Sequence, residues 1–477
     1  MNKFIDKIFI PLSLFLIILR LIFISNTVLI NDEAYYAIYA RHLAWGYVDH
    51  GPVIAYLIKF FTLIWENSFT VRLGATTLMT IITVVLYFFG KTFFNRQVGV
   101  LLSLSMTANM LFHTNAIVIT PDVPMTFFTI LAIMFYYLAY CVDKKYIYIG
   151  GIMLGLAVLS KISALFPALG IALYPLLIKD KRHWLKNVHY YGSFIVALLI
   201  FLPFIIWNLQ NDLAFVRNQG SHIYRGGGIA EFIKLWLGLA IFSGPLFFYY
   251  SVIRPFLNLK EWKNISESIQ YFTLVTLVPL SYFLGHSLFS KFELNWPAPA
   301  FLSGLFLLGL QIDKTSVKLY YSQIFYSLIL IMIITIQTFI PFLPVKGDAD
   351  VTNRYYMYEG FTDSLKTYID KNPELQNVRI AANNFQIPSM INFYLNPSPE
   401  ATCFSIGYQE TLYLFLYPNS SLKGSDFIFI KHGMGEPEFL FDYFEEISEL
   451  KKFKINRGNQ NLSNFSLWHV KNYSGEK

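Results

Sequence analysis

The chain has 477 residues, of which 55% are hydrophobic, 18% are aromatic and 14% are charged, and its formal net charge is +7. Soluble proteins carry about 25% charged residues, so this composition excludes an ordinary soluble protein and predicts a polytopic membrane protein. The two cysteines, Cys141 and Cys403, lie far apart and predict neither a disulfide framework nor a metal cluster. The first apolar run has no small-residue cleavage site, so we expect an uncleaved first span.

Apolar segments long enough for spans of about 20 residues predict about eleven transmembrane helices. The short stretch Ser160-Lys161-Ile162 separates the fifth segment from the sixth, and we interpret these as two spans. When the N-terminus is placed in the cytoplasm, Lys and Arg are enriched in the inner loops, as the positive-inside rule requires. The predicted spans are residues 8–29, 70–90, 97–113, 123–141, 146–160, 163–178, 190–208, 232–252, 269–287, 297–312 and 319–343.

The polar residues of interest then fall on the outer side, which predicts an active site that opens at the outer leaflet. We expect residues 1–344 to form the transmembrane domain, with catalytic groups in the first outer loop at 30–69. Residues 345–477 are more polar and predict a small soluble α/β domain on the outer face. Its strands are predicted at 378–382, 426–430 and 465–470, and its helices at 359–371, 386–395 and 437–447.

Two adjacent carboxylates, Asp32 and Glu33, follow the first span and precede AYYAIYARHLAW, which predicts an amphipathic helix on the membrane surface. Either carboxylate could cap this helix. Because ionisable groups at a membrane boundary are commonly functional, we expect at least one to be catalytic, as a base for an acceptor hydroxyl. Asp122, in TPDVP before the fourth span, is either a helix N-cap or a second acidic group of the site.

Two stretches on the outer side carry further candidate contacts for a substrate. Asp49 and His50 form either a surface turn or a proton carrier and phosphate contact, because histidine titrates near neutral pH. Lys161 lies in a tight turn between two apolar segments. It either snorkels to the interface or pairs with a lipid phosphate as a point charge.

Two more basic residues are weaker candidates for binding the donor. Arg225, in SHIYRGGG, lies beside glycines whose backbone N–H groups could cradle an anion, although a flexible loop explains the same residues. Lys291, in KFELNWPAPA, either contacts the substrate or forms an ion pair with Glu293.

The residues quoted above resemble those of a known family. NDEAYYAIYARHLAWGYVDHGPVIAYL resembles the first outer loop of bacterial polyprenyl-phosphate-dependent glycosyltransferases of the GT-C type. These are family 39 relatives of the dolichyl-phosphate-mannose–protein mannosyltransferases and of the lipid A aminoarabinose transferase. TPDVPMTFF resembles the second acidic motif of that family, and LNWPAPAF resembles its late motif. The similarity covers most of residues 28–305.

The resemblance implies a lipid-linked sugar monophosphate as the donor, presented at the outer leaflet, and no required metal ion or other cofactor. Asp32 matches the catalytic carboxylate, Glu33 its acidic neighbour, and Asp122 the acidic residue that orients the first-loop groups. The segment Asp49-His50-Gly51-Pro52 falls where the aminoarabinose transferases carry Glu-Lys-Pro, so His50 replaces a basic phosphate contact. This difference leaves open both the substrate and the way in which the donor phosphate is held.

We therefore expect inverting sugar transfer to a hydroxyl of a lipid, glycan or protein acceptor at the outer face of a bacterial inner membrane. Membrane lipids are expected partners and nucleic acid is not. In this hypothesis Lys161, Arg225 and His50 hold the donor phosphate. The alternative is a carrier or flippase without chemistry, although polar groups on one face argue against alternating access through a midplane site. A sensor with an outer ligand-binding domain is a third possibility, but the predicted spans exceed what it needs.

Overall fold

The computed structural model describes residues 3–221, 226–312, 317–407 and 409–475. Most of these residues are helical, and one five-stranded sheet lies in the C-terminal part of the chain. The first helices are α1 (Lys3–Ser25), α2 (Asn31–Arg41), α3 (Val53–Phe61), α4 (Ser68–Phe93), α5 (Arg96–Thr107), α6 (Met110–Ile117), α7 (Asp122–Cys141), α8 (Ile147–Ser160) and α9 (Leu165–Leu177).

The later elements complete the chain. The next helices are α10 (Val188–Gln210), α11 (Ala214–Ser221), α12 (Ile229–Ser243), α13 (Pro245–Phe248), α14 (Arg254–Lys260), α15 (Glu267–His286), α16 (Ala298–Gln311) and α17 (Val317–Phe339). The C-terminal elements are α18 (Phe361–Asp370), β1 (Arg379–Ala382), α19 (Gln386–Tyr394), β2 (Thr402–Cys403), α20 (Leu412–Leu416), β3 (Phe427–His432), β4 (Glu446–Arg457) and β5 (Gln460–Lys471).

The apolar segments predicted as spans are helical, but two of them are broken. The segment 97–113 divides into α5 and α6 because the Asn109 side chain accepts the Leu111 N–H at 2.9 Å and starts a new helix. The segment 232–252 breaks at Gly244, whose φ is +82°, a conformation that favours glycine. Pro245 then begins α13.

Six helices among the described residues are long and apolar enough to cross a membrane. The number rises to as many as eight if each of two bent helix pairs counts as one span. These pairs bend by 105° near residue 178 and by 118° near residue 244. Several apolar candidate spans are therefore confirmed, whereas the count of about eleven and the placement in a membrane stay predictions.

The chain divides into two compact units. The first unit comprises residues 1–25, 50–57 and 72–333, and the second comprises residues 26–49, 58–71 and 334–477. Most of the predicted first outer loop therefore groups with the C-terminal part of the chain. Residues 50–57 of that loop group with the helical unit instead.

The first unit is a bundle in which small residues allow helices to approach closely. Glycines of α8 lie against α10, and a Cβ atom on Gly155 would be 2.9 Å from the carbonyl oxygen of Ala197. Phe272 and Phe306, on α15 and α16, stack with ring centroids 4.4 Å apart. Close backbone packing of this kind stabilises helix pairs where lipid supplies no hydrophobic driving force between them.

The second unit contains the mixed sheet, with strand order β2-β1-β3-β5-β4. β1 pairs in parallel with β2 and β3, and β5 pairs antiparallel with β3 and β4. Buried aromatic side chains, including Phe404, Phe427 and Trp468, pack under it. The predicted α/β character of this part of the chain is confirmed, as are the strands near 378–382, 426–430 and 465–470.

One predicted helix of the C-terminal part is wrong. Residues 437–447 form a short 3-10 turn, Glu438–Leu440, followed by the start of β4. β4 is an edge strand of the sheet, and its sequence ELKKFKINR is strongly charged. Edge strands commonly carry lysine because charge blocks pairing with another chain, and this charge hid the strand from the hydropathy pattern.

Candidate functional site

The second unit holds the two adjacent carboxylates at the start of α2. Glu33 is fully buried, and its Oε2 accepts the backbone N–H of Ile30 at 3.0 Å. This bond satisfies one of the unpaired N–H groups at the helix N-terminus. The capping interpretation is therefore confirmed for Glu33. A catalytic role for this residue stays a prediction.

Asp32 is half-buried and differs from Glu33 in its surroundings. Burial and the negative charge of Asp32 together raise the pKa of Tyr358, a buried tyrosine of the same unit. A carboxylate at a helix N-terminus is also stabilised by the helix dipole, which favours its charged form. Asp32 is thus the more accessible of the two predicted carboxylates, as a base that contacts substrate must be.

Asp49 fastens α2 to the rest of the second unit. Its Oδ2 accepts hydrogen bonds from the hydroxyls of Tyr35 and Tyr39, both at 2.8 Å. The Tyr35 hydroxyl in turn accepts the backbone N–H of Leu412 at 2.9 Å. Burial and the charge of Asp49 raise the pKa values of both tyrosines well above their usual value. Asp49 is therefore engaged in positioning the helix that carries Asp32.

The helix α2 itself differs from the amphipathic surface helix that the sequence predicts. Seven of its residues are buried, on more than one face. It packs against α19, and the ring of Tyr35 lies 4.3 Å from that of Phe385. Tyr47 stacks on Tyr39 with centroids 3.8 Å apart. α2 is consequently a packed element of the second unit, held rigidly at the residues that follow Asp32.

The first unit contains a buried polar cluster at the start of α7. Lys161 Nζ donates to Oδ1 and Oδ2 of Asp122 at 2.8 and 2.9 Å. Asn295 Nδ2 donates to Asp122 Oδ2 at 2.9 Å. The side chains of Lys161 and Asp122 are 15% and 5% exposed. The residues TPDVP, the Ser160-Lys161-Ile162 break and LNWPAPA, far apart in sequence, therefore meet in one place.

His50 belongs to the same cluster. Desolvation and the Lys161 ammonium lower its pKa to about 3, and Asp122 opposes this shift only in part. His50 is thus neutral near pH 7 and can donate or accept a hydrogen bond without carrying charge. The next residue is Gly51, where a Cβ atom would overlap the carbonyl oxygen of Leu159 at the end of α8. Only glycine allows the loop to lie so close to the end of α8.

Two predicted contacts remain, Arg225 and Lys291. Arg225 lies outside the described residues. Lys291 is exposed, and no ion pair joins it to Glu293 in the described part of the chain. Neither role predicted for Lys291 is supported by a contact, and both stay predictions. Over the described ranges no group of three or more His, Cys, Asp or Glu side chains is arranged to hold a metal ion.

Asn295 is the functional candidate that the sequence did not reveal. It lies in KFELNWPAPA, where the charges of Lys291 and Glu293 are the features that the sequence pattern indicates. An uncharged amide has no signature in hydropathy or charge patterns. Its contact with Asp122 spans 173 residues of sequence, so only the folded chain identifies it.

Comparisons with known proteins show which family and which relatives the chain is similar to. Residues 49–207 match the family model described as dolichyl-phosphate-mannose-protein mannosyltransferase. The lipid A galacturonosyltransferase RgtD of Rhizobium johnstonii is 26% identical over 291 residues. That alignment covers 58% of this chain and 59% of the relative, so less than two thirds of the relative is matched.

Solved structures share the fold. ArnT of Cupriavidus metallidurans bound to undecaprenyl phosphate superposes with a TM-score of 0.65, at 14% identity, over 100% of both chains. The resemblance to GT-C glycosyltransferases is confirmed. The oligosaccharyltransferase AglB of Archaeoglobus fulgidus, in complex with an inhibitory peptide and a dolichol-phosphate, gives a TM-score of 0.51 at 12% identity. This match covers 84% of the present chain and 65% of the AglB chain.

Proposed function

We propose that this protein transfers a sugar, a hexose or a pentose, from a polyprenyl-phosphate-linked donor to an acceptor hydroxyl. The transfer takes place at the outer face of a bacterial inner membrane, which the chain crosses about eleven times with its N-terminus inside. The acceptor is a lipid, a glycan or a protein. The observation that carries the proposal is the Lys161 ammonium, largely withdrawn from solvent and held by Asp122 in a chain with an ArnT-like fold.

Lys161 is suited to the donor phosphate. An ammonium has three N–H donors, and among the described residues its two hydrogen bonds both go to Asp122. One donor therefore remains for a phosphate oxygen. A cation fixed in advance at the leaving group stabilises the charge that develops there without reorganisation. Asn295 donates a hydrogen bond to Asp122 and so holds that carboxylate in place.

Asp32 is assigned the proton transfer. As the acceptor oxygen attacks the anomeric carbon in line, a new carbon–oxygen bond forms and the bond to the phosphate oxygen breaks. The proton of the acceptor hydroxyl passes to the Asp32 carboxylate, and the lipid phosphate leaves with the electron pair. A single displacement inverts the anomeric configuration. Arg225 and the neutral imidazole of His50 are the further proposed phosphate contacts, and no metal ion is required in this scheme.

The test is transfer of radiolabel by the purified protein in lipid. A panel of radiolabelled polyprenyl-phosphate sugars is offered with total membrane extract as acceptor, and wild type is compared with Asp32→Asn. The variant should lose about 10²-fold or more in rate because general-base catalysis contributes that much. Asp143→Asn, a change at an exposed carboxylate paired with Lys145, is the matched control and should transfer as wild type does.

Two results would overturn the proposal. Retained transfer in Asp32→Asn would remove the base from the mechanism. Saturable donor binding without transfer, in both wild type and variant, would instead favour the carrier and would leave Asp32 as a residue of the helix terminus.

A further inference from the structure

A groove lies on the outer face of the hairpin formed by β4 and β5, within the second unit. Its volume is about 640 Å³. Side-chain amides dominate the lining, together with one ammonium group and one thioether. The side chains that line it are Met434, Lys454, Asn456, Asn459, Asn461 and Asn464. No residue assigned to sugar transfer belongs to this groove.

A β-bulge brings the amides to one face. Lys454 pairs with Asn464 across the two strands, and Asn456 pairs with Asn461, with a register shift between the two pairs. Leu462 has no partner in that register. Side chains of a strand alternate between its two faces. Without the extra residue, Asn461 and Asn464 would therefore point to different faces of the sheet. Bulges re-aim side chains in this way and are common beside binding sites.

The amides are ordered by their own hydrogen bonds. Asn461 Nδ2 donates to the Oδ1 atoms of Asn456 and Asn464, at 3.2 and 3.1 Å. These bonds direct both acceptor oxygens inward, to Asn461. The amide N–H groups of Asn456 and Asn464 therefore remain as donors toward the groove, since nothing in the described part of the chain accepts from them.

Hydrogen bonds also hold the turn after β3, which carries Met434 at one side of the groove. Lys431 Nζ donates to the carbonyl oxygens of Gly435 and Glu436, at 3.0 and 2.8 Å. The backbone N–H of Gly433 donates to the carbonyl oxygen of Asn464 at 2.7 Å. The first two bonds close the turn on itself and the third joins it to β5, so this side of the groove is ordered before a ligand enters.

Lys454 differs from the other lysines of β4. Lys452 pairs with Glu449 at 2.8 Å, and Lys451 lies over the ring of Tyr368 at 5.1 Å. Lys454 has no ion pair with any residue that the structure describes. An ammonium group next to unpaired amide donors favours a ligand that is rich in hydroxyls and carries an anionic group.

We propose that this groove binds a saccharide bearing a carboxylate or phosphate substituent. Planar amides both donate and accept, which matches the paired donor and acceptor character of sugar hydroxyls. A peptide strand fits less well. The groove lies on the face of the hairpin, whereas a peptide would pair with the edge of β4, where lysines oppose such pairing. The proposal does not depend on sugar transfer.

The test measures binding to the full-length protein in nanodiscs, without donor. The probes are α-1,4-linked trigalacturonate and its neutral methyl ester, followed by saturation-transfer NMR titration. Wild type should bind the acid more tightly than the ester. Asn456→Ala combined with Asn461→Ala should weaken binding of both probes about tenfold or more, since each lost amide removes a hydrogen-bonding group. Lys454→Gln should weaken binding of the acid alone.

Lys452→Gln is the matched control because Lys452 is on the same strand but does not line the groove. It should bind both probes as wild type does, and circular dichroism should show all variants folded. Equal binding by wild type and the double asparagine variant would overturn the groove as the site. Equal affinity for acid and ester would overturn the anionic selectivity. Binding of tetraglutamate peptide in place of the trisaccharide would overturn the ligand class.

Discussion

Lys161 Nζ donates to both carboxylate oxygens of Asp122, and both side chains are largely withdrawn from solvent. The pair joins the start of α7 to the break between α8 and α9. Lys161 and Asp122 both act on the imidazole of His50, and under the proposed function the Lys161 cation meets the donor phosphate. The same geometry gives the cation a structural role, so stability and activity must be measured separately.

Replacing Lys161 with Met should destabilise the protein by about 3–5 kcal/mol, because it leaves the Asp122 carboxylate buried without its partner. Thermal unfolding in detergent measures this loss. Adding Asp122→Asn to the Lys161→Met variant should restore part of the stability, since the uncompensated charge is then gone. Unfolding of Lys161→Met at the wild-type temperature would show that the pair is not buried in solution.

Asn295→Ala should reduce transfer about tenfold, with a smaller effect on stability than Lys161→Met. The variant removes one hydrogen bond to a charged acceptor, a type of bond worth about 1.5–3 kcal/mol. Initial rates over a range of donor concentrations measure the effect. Glu293→Gln is the control, because Glu293 is exposed two residues away. Equal losses in the two variants would mean that the segment, and not the Asn295 amide, matters.

The sequence predicted the helical unit well because hydropathy is a local property. The boundaries of α4, α7 and α15 lie within a few residues of those expected, and the break at Lys161 is observed. The same method failed at β4, where exposed lysines conceal a strand whose partner supplies the burial. It also failed to show that α2 is covered, because α19 lies more than 300 residues further along the chain.

The sequence predicted the charged residues of the candidate site but not its uncharged ones. Asp122, Lys161 and His50 were each chosen individually, and the fold brings them together. The sequence does not indicate that Tyr35 and Tyr39 bind Asp49, since a hydroxyl gives no sign of its partner. Asn295 was missed for the same reason. Contacts between distant segments of sequence require the folded chain.

Tyr35→Phe should destabilise the second unit more than Tyr39→Phe. Each change removes one hydrogen bond to the Asp49 carboxylate, a type of bond worth about 1.5–3 kcal/mol. Tyr35→Phe also leaves the backbone N–H of Leu412 without its acceptor in a buried position, which adds a desolvation cost. Thermal unfolding of the two variants provides the comparison. Equal shifts in melting temperature would contradict the role assigned to the bond from Leu412.

His50 should make the protein less stable as the pH falls. Its pKa in the folded protein is about 3, below the usual value of 6.5, because of desolvation and the Lys161 ammonium. Between these two pH values the unfolded chain binds the proton and the folded chain does not, so acidification favours unfolding. The His50 contribution is therefore fully present above about pH 6.5 and is lost progressively toward pH 3.

His50→Gln removes this titration. The melting temperature of the variant should therefore fall less than that of wild type when the pH is lowered from about 7.5 to about 5, the range in which histidine titrates. His183→Gln, at an exposed histidine of the 3-10 helix Lys179–Lys186, controls for the loss of one histidine and should track wild type. Parallel pH profiles for wild type and His50→Gln would show that His50 is solvated. Its imidazole would then be free to meet a donor phosphate as a cation instead of as a neutral hydrogen-bonding group.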